Sequence, residues 1–351
     1  MKKGIVCLLA IVLVASLTLA GRSDGAPKLP KLLDVGSTPP PNVYQACAAA
    51  VAAVLAKNTP INVINKPMAG PAAYLPLMND GEMGLSLTSL NEVSWYMRGN
   101  PAVTKKPLRN LRLIVRGNYL IGILGIVVKA KSDFHNIKEL KGKRVTGVFG
   151  GNPICAALVD IWLRSVGMTF KDVHVIPVMQ VPEGTRALAE GRVDGAFGGV
   201  VTSSFIKELN ATMPIRALHF ADTPANKANQ ISNELVDKVI KGSGVSFEVD
   251  VYKADGNILK DDYTSVKHPN GVVASSHLSD DTVYTVTKAL WEHYKELHPY
   301  HPWLKQWQPK QMFDSNPMLP YHPGAVKFFK EAGVWTPQVE QKQKELMREV
   351  K

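Results

Sequence analysis

The chain has few cysteines and lacks the short motifs that mark hydrolases. Three cysteines occur in 351 residues, and one of them, Cys7, lies in an apolar segment at the N-terminus. The other two, Cys47 and Cys155, lie in alanine-rich helical patterns, where an unpaired cysteine behaves as a small hydrophobic residue. We therefore expect two buried free thiols, although a disulfide is chemically allowed outside the cytosol.

The histidines form no recognisable metal site. His293, His298, His301 and His322 match no standard zinc spacing, and no cysteine lies near them. The sequence has no GxSxG, no HExxH and no Ser-x-x-Lys in a motif context. Cys155 is the remaining candidate nucleophile, but no histidine is close to it in sequence. We expect no metal, no cofactor and no catalytic residues, so binding is favoured over catalysis.

Apart from one at the N-terminus, no hydrophobic run is long enough to span a membrane. Lys2 and Lys3 precede an apolar run over residues 5–20 that ends in small residues, which predicts a secretory signal peptide over residues 1–26. The alternative is an uncleaved anchor, for which the run is somewhat short. We expect an exported, periplasmic protein with no stable membrane insertion after the signal is cleaved.

Positive charge is in excess but is not clustered. The formal net charge is +11, and the predicted leader contributes a net +2 of it through Lys2, Lys3, Arg22 and Asp24, which leaves about +9. No basic helix with interleaved aromatic residues is present, so nucleic acid is not expected as a partner. A basic surface favours an anionic ligand or an acidic membrane face.

Residues 140–199 carry the clearest fold signal. Short β-branched runs at 145–149, 173–178 and 193–197 alternate with helical patterns near 154–165 and 183–190. Strands and helices that alternate at this spacing predict a parallel sheet with crossover helices.

The first half of the chain repeats this alternation, which predicts a second, related α/β lobe. The long apolar run at 121–129 is predicted to be one strand that crosses between the lobes. The C-terminal third is predicted to return to lobe I, with a polar, mixed stretch at 226–262. The predicted lobes are residues 27–127 with 221–351 for lobe I, and 128–220 for lobe II.

Polar residues cluster where strands end and helices begin, which is where open α/β sheets bind ligands. They are Ser37, Thr38, Thr88, Ser89 and Asn152. The glycines Gly150, Gly151 and Gly199 also end strands, and the first two precede a helix whose N-terminus favours an anion. An ordinary turn that uses glycine for its backbone angles is the alternative. Gly150-Gly151 fits neither a GxGxxG nor a GxxxxGK[ST] pattern.

Two aromatic residues lie near the predicted cleft. Tyr44 is one turn into the first helix, and Tyr119 precedes the predicted crossing strand. Both are candidates for the cleft wall, and capping of the sheet edge is the alternative.

Several segments together resemble the TAXI-type solute-binding proteins of tripartite ATP-independent periplasmic (TRAP) transporters. They are Leu140-Lys141-Gly142-Lys143-Arg144-Val145, the Gly150-Gly151 loop with its helix, residues 188–197, and Tyr321-His322-Pro323-Gly324-Ala325. The resemblance implies a two-lobed, type II periplasmic-binding-protein clamshell of mixed α/β class. It also implies a small organic acid as ligand and TRAP membrane permease subunits as partners, and we expect a monomer.

The sequence departs from this family in the loops that set specificity. Leu90-Asn91 stands where the family has an acid after the serine of the third strand, so a partner for a ligand ammonium is predicted to be lost. We therefore expect an organic acid rather than an amino acid, with its carboxylate near the N–H groups of Gly151 and Asn152. The alternatives are a ligand-presenting protein for a sensor kinase and a periplasmic enzyme on the same fold.

Overall fold

The computed structural model describes residues 29–117 and 119–350, so the predicted signal peptide over residues 1–26 lies outside the described residues. The strands of the described part are β1 Leu32–Ser37, β2 Asn62–Pro67, β3 Leu85–Ser89, β4 Leu111–Arg116, β5 Ile126–Lys129, β6 Arg144–Phe149, β7 His174–Val178, β8 Ala196–Phe197, β9 Ile215–Leu218, β10 Glu248–Tyr252, β11 Tyr263–Lys267 and β12 Asn270–Ser275. The α-helices of the same part are α1 Val43–Asn58, α2 Pro71–Asn79, α3 Leu90–Arg98, α4 Pro153–Ser165, α5 Val181–Ala189, α6 Ser204–Thr212, α7 Asn233–Ser243, α8 Asp280–Glu292, α9 Pro309–Met312, α10 Pro323–Glu331 and α11 Pro337–Glu349.

The first lobe is built on a five-stranded sheet in the order β2-β1-β3-β12-β4. β1 is parallel to both β2 and β3, whereas β12 runs antiparallel between β3 and β4. All residues of β3 and β12 are buried, as expected for strands covered on both faces. Asn42 caps α1 by accepting a hydrogen bond from the Tyr44 N–H at 2.9 Å, which directs that helix away from the end of β1.

The second lobe contains the strands β5 to β9. β6 and β7 pair in parallel, and β5 pairs antiparallel with both β8 and β9. A parallel bridge between Val145 and Gly195 links the two groups. The predicted parallel arrangement of the three strands within residues 140–199 is confirmed for β6 with β7 and by the bridge from β6 to Gly195. β5 adds an antiparallel strand, so the lobe has a mixed sheet.

The segment that crosses between the lobes is not one strand. Residues 121–125 of the predicted strand are irregular, because Gly122 has a φ of +69° and an added Cβ on Gly125 would lie 1.9 Å from Trp162 Cε2. Further back, the Leu120 N–H donates to the His268 carbonyl at 2.9 Å. The outgoing segment before β5 and the returning segment after β11 therefore run side by side between the lobes.

The returning part contains a feature that the sequence analysis missed. β10 and β11 form an antiparallel pair within and just after the stretch that was described as polar and mixed. β10 has no fully buried residue, although Glu248-Val249-Asp250-Val251 alternates polar and apolar residues as a strand does. Further along, α8 ends at Glu292 and a 3-10 turn, Tyr294–Leu297, follows it.

The described chain is thus a mixed α/β protein of two lobes joined by paired crossing segments. Cys47 and Cys155 are buried free thiols, which confirms that expectation. Among the helices of the described residues, none combines the length and the apolar character that crossing a membrane requires.

Candidate ligand-binding site

An enclosed cavity of about 50 Å³ lies between the lobes, where the ends of β1, β3 and β8 meet the crossing segments. Its lining residues come from both lobes and from both crossing segments: Thr38, Asn42, Val43, Tyr44, Pro71, Tyr74, Thr88, Glu92, Leu120, Ile123, Asn152, Ile154, Cys155, Leu158, Val181, Phe197, Gly199, Val200, Ser203, Phe205 and His268.

The first lobe contributes hydroxyl groups at the ends of its strands. Thr38 follows β1, and its Oγ1 is buried without a hydrogen-bond partner among the described residues. Thr88, near the end of β3, accepts a hydrogen bond from the Tyr74 hydroxyl at 2.9 Å. Thr38 therefore holds an unused hydrogen-bonding group, whereas Thr88 is already paired.

His268 lies on the returning segment, at the back of the cavity. Its side chain is 1% exposed, and burial lowers its pKa to about 4, so the ring is neutral near pH 7. Nδ1 lies 3.4 Å from Ser89 Oγ, and Nε2 has no partner among the described residues. Ser89 thus contacts the His268 ring on its Nδ1 side.

Glu92, in the first turn of α3, reaches across the cleft to the second lobe. Its Oε1 accepts a hydrogen bond from the Ile154 N–H, in the first turn of α4, at 3.1 Å. The side chain is 2% exposed, and burial raises its pKa to about 8, although the Ile154 N–H acts in the opposite direction. A buried carboxyl group of one lobe therefore occupies the start of a helix in the other.

A second set of contacts joins the lobes at the rim of the cleft. Within the second lobe, Asn152 Nδ2 donates to Gln180 Oε1 at 2.7 Å, and Gln180 Nε2 donates across the cleft to the Ala69 carbonyl at 3.0 Å. The backbones also touch, since an added Cβ on Gly151 would lie 1.9 Å from the Ala69 oxygen. Glycine is needed at 151 because the opposing backbone comes this close. The cleft is closed in this structure.

The cavity wall has an unusual balance of charge. Its lining includes the carboxyl group of Glu92 but no lysine or arginine. Cys155 also lines it, and burial, followed by the nearby Glu92, raises the pKa of the thiol well above its usual range. The thiolate that nucleophilic chemistry requires is therefore disfavoured at this position.

Half of the residues that the sequence predicted for the site lie on the cavity wall, namely Thr38, Tyr44, Thr88, Asn152 and Gly199. They come together because the carboxyl ends of the strands in each lobe face the cleft. Asn152 does so from the N-cap position of α4, where its side chain bonds Gln180 and makes no capping hydrogen bond. Ligand contact at these five positions stays a prediction.

The structure does not bring the other predicted residues to the wall. Ser37 points into the first lobe, where Oγ donates to Asn65 Oδ1 at 2.8 Å. Ser89 lies behind His268, Gly150 is exposed beside Met179, and Gly151 packs against the rim of the first lobe. The predicted carboxylate position at Gly151 is therefore at the rim and outside the cavity.

Tyr119 lies away from the cavity, on the outer side of the crossing segments. The Arg116 guanidinium carbon is 5.4 Å from its ring centroid, and Lys267 Nζ is 5.3 Å from it. These two cations hold the ring in a surface depression instead of the cleft.

Sequence reasoning missed Glu92 and His268. An acid in the first turn of a helix is common, and a histidine before a proline has no distinctive pattern, so neither residue carries a local signal. Glu92 supplies a carboxyl group three residues after Ser89, and the predicted loss of a partner for a ligand ammonium stays a prediction.

Solved structures with a similar fold were found at low sequence identity. A protein of Bordetella bronchiseptica RB50 aligns with a TM-score of 0.50 and 13% identity, over 90% of this chain and 98% of that chain. The alkanesulfonate-binding protein SsuA from Xanthomonas axonopodis pv. citri, bound to MOPS, aligns at 0.46 and 14% identity, over 92% and 99%. A TctC solute binding protein from Polaromonas aligns at 0.42 and 16% identity, over 78% and 86%. The model of the NMT1-like family matches residues 38–333, most of the sequence, and the chain therefore belongs to the NMT1-like family.

Proposed function

We propose that this protein is an exported, periplasmic solute-binding receptor that takes a small organic carboxylate into the cavity between its lobes. The observation that carries the proposal is the closed interlobe cavity with two unused polar atoms, Thr38 Oγ1 and His268 Nε2. Buried polar atoms without partners cost free energy, and they mark places where a ligand gains by binding.

The chemistry of these two atoms suits a carboxylate. A threonine hydroxyl can donate one hydrogen bond. In the histidine tautomer with its proton on Nε2, Nδ1 faces the Ser89 hydroxyl and the Nε2–H is a donor without a partner among the described residues. Two neutral donors in a cavity whose wall is mostly apolar fit a carboxylate on a small, partly apolar body.

The proposed mechanism is closure around the ligand, with no bond made or broken. A ligand that touches both lobes stabilises the closed form over the open form by its contacts to the second lobe. Leu120, Ile123 and His268 belong to the crossing segments and also line the cavity. The ligand would therefore sit at the pivot of the motion.

The proposed partner is a membrane permease of the TRAP type, in keeping with the resemblance of the sequence segments. The test is uptake of the identified ligand into liposomes that contain TRAP permease subunits from the same organism. Uptake that requires the receptor supports the proposal. Receptor-independent uptake, together with binding of the loaded receptor to a sensor kinase, favours the signalling alternative.

The ligand itself can be found by native mass spectrometry of protein purified from its own periplasm without refolding. A small acid that is lost on gentle denaturation supports the proposal. An apo mass leads to a thermal-shift panel with isobutyrate, benzoate and 2-oxoglutarate. If no member of the panel raises the melting temperature, the carboxylate proposal is contradicted.

Thr38→Val is expected to lower ligand affinity about tenfold while it stabilises the empty protein by about 1 kcal/mol. Valine keeps the shape of threonine but removes a buried hydroxyl that has no partner in the empty state and that donates to the ligand in the bound state. The two effects have opposite signs, and isothermal titration calorimetry and thermal unfolding measure them separately.

Thr264→Val is the matched control. Thr264 Oγ1 is also buried without a partner among the described residues, but Thr264 is not on the cavity wall. The control is expected to share the gain in stability and to leave the affinity unchanged. Equal affinities for Thr38→Val and the unmodified protein would contradict the role of Thr38.

A further inference from the structure

The start of α4 offers few free donors to a ligand. Pro153 has no N–H, and the Cys155 N–H already donates to the Asn152 carbonyl at 3.0 Å. The Ile154 N–H is the donor that remains in this turn, and Glu92 Oε1 accepts from it. The carboxyl group of Glu92 therefore holds the position at which a ligand carboxylate would meet this helix.

No cation on the cavity wall can balance a second negative charge. A ligand carboxylate in a cavity of about 50 Å³ lies close to Glu92, and lysine and arginine are absent from the wall. Two ionised carboxylates in a buried site repel each other, and such a pair retains a proton.

The other titratable groups that face Glu92 cannot neutralise a second negative charge in the cavity. They are Tyr44 of α1, Tyr74 of α2, Tyr96 of α3 and Cys155 of α4, with His268 on the returning segment. Burial raises the pKa of the tyrosines and the thiol and lowers that of His268, so all of them are neutral near pH 7. Glu92 is the group on this wall that can change its charge near neutral pH.

We propose that Glu92 sets the charge selectivity of the site, and that a carboxylate ligand binds together with one proton held on the Glu92 carboxyl group. This inference rests on the proposed function, since it assumes a carboxylate in the cavity. The protonated oxygen donates a hydrogen bond to the ligand, and the other oxygen keeps the Ile154 N–H. The proton comes from solvent whenever Glu92 is ionised in the empty protein.

The expected pH dependence follows from the direction of the pKa shifts. Burial places the pKa of Glu92 at about 8 in the empty protein, and a ligand carboxylate beside it raises that value further. Below about pH 7 the group is already protonated, so affinity is level. Above about pH 8 each binding event must take up one proton from solvent, so affinity falls by about tenfold per pH unit.

The experiment is titration calorimetry of the whole mature protein with isobutyrate, benzoate and 2-oxoglutarate, at about pH 6.5 and about pH 9.5. Titrations at about pH 9 in two buffers that differ in ionisation enthalpy measure the protons taken up per ligand. The comparisons are Glu92→Gln, which keeps an acceptor for Ile154 and cannot titrate, and isobutyramide, the uncharged analogue of isobutyrate.

The unmodified protein is expected to take up about one proton per carboxylate at about pH 9, and to bind it about 30-fold more weakly at pH 9.5 than at pH 6.5. Glu92→Gln is expected to bind with a level profile and no proton uptake, and isobutyramide binding is expected to be independent of pH. Proton uptake in the unmodified protein is decisive even if the variant does not fold.

Carboxylate binding without proton uptake, or with the same profile in both proteins, overturns this inference and leaves the proposed function standing. Failure of all three carboxylates to bind either protein at either pH overturns both. Loss of binding in Glu92→Gln together with tight binding of isobutyramide also overturns the inference, because it would show that the site prefers an uncharged ligand.

Discussion

Gly151→Ala is expected to hold the cleft open and to weaken ligand binding by about 100-fold. An added Cβ at this position would lie 1.9 Å from the Ala69 carbonyl oxygen, and the reciprocal Cβ on Gly70 would lie 2.2 Å from the Gly151 oxygen. In both cases the clashing atom belongs to the backbone, so the rims of the two lobes must separate. When the closed form is populated at about one part in 100, apparent affinity falls by the same factor.

Small-angle X-ray scattering and calorimetry test this expectation together. Gly150→Ala is the matched control, because its Cβ would meet the end of the exposed, flexible Met179 side chain at 2.7 Å. The control is expected to close and to bind normally. A Gly151→Ala protein that scatters like the unmodified protein with bound ligand would contradict the closed rim.

Trp162→Ala is expected to lower the free energy of unfolding by about 3–5 kcal/mol, through the cavity that the lost indole leaves. Trp162 is fully buried on α4, packs edge-on against Phe220 at a centroid distance of 5.6 Å, and lies directly over Gly125 of the crossing segment. It therefore holds the second lobe to the segment that joins it to the first. Urea unfolding followed by circular dichroism measures the change.

Trp162→Phe separates packing from hydrogen bonding. The indole N–H donates to the Leu218 carbonyl at 2.9 Å, but the Tyr263 hydroxyl donates to the same oxygen at 2.9 Å. Loss of the indole donor leaves that acceptor paired, so we expect a loss of only about 1–2 kcal/mol from the smaller ring. Equal losses for the two variants would show that packing is not the main contribution.

The alternation of strands and helices in both lobes was predictable because it depends on local patterns. Glycine pairs and β-branched runs act over a few residues, as does the cap that Asn42 forms on α1. The direction of β5 was not predictable in this way. Its pairing with β8 and β9 is fixed by the path between lobes, a property of the whole chain.

The same distinction separates the site residues. Thr38 and Thr88 could be predicted because residues that follow strands in this fold face the cleft. Asn152 also lies on the wall, but its side chain bonds Gln180, 28 residues further along the chain, and makes no capping hydrogen bond to α4. Glu92 and His268 acquire their roles only when the lobes close and when the returning segment pairs with the outgoing one, so nothing local marks them.

The contacts that close the rim have a consequence for the effect of salt. They are made by the side-chain amides of Asn152 and Gln180 and by backbone atoms, all of which are uncharged. Salt screens interactions between charges and has little effect on contacts between uncharged groups. The equilibrium between the open and closed forms should therefore be nearly independent of ionic strength. The net charge of the chain acts earlier, by attracting an anion from a distance. Salt should therefore lower the association rate of an anionic ligand without raising its dissociation rate.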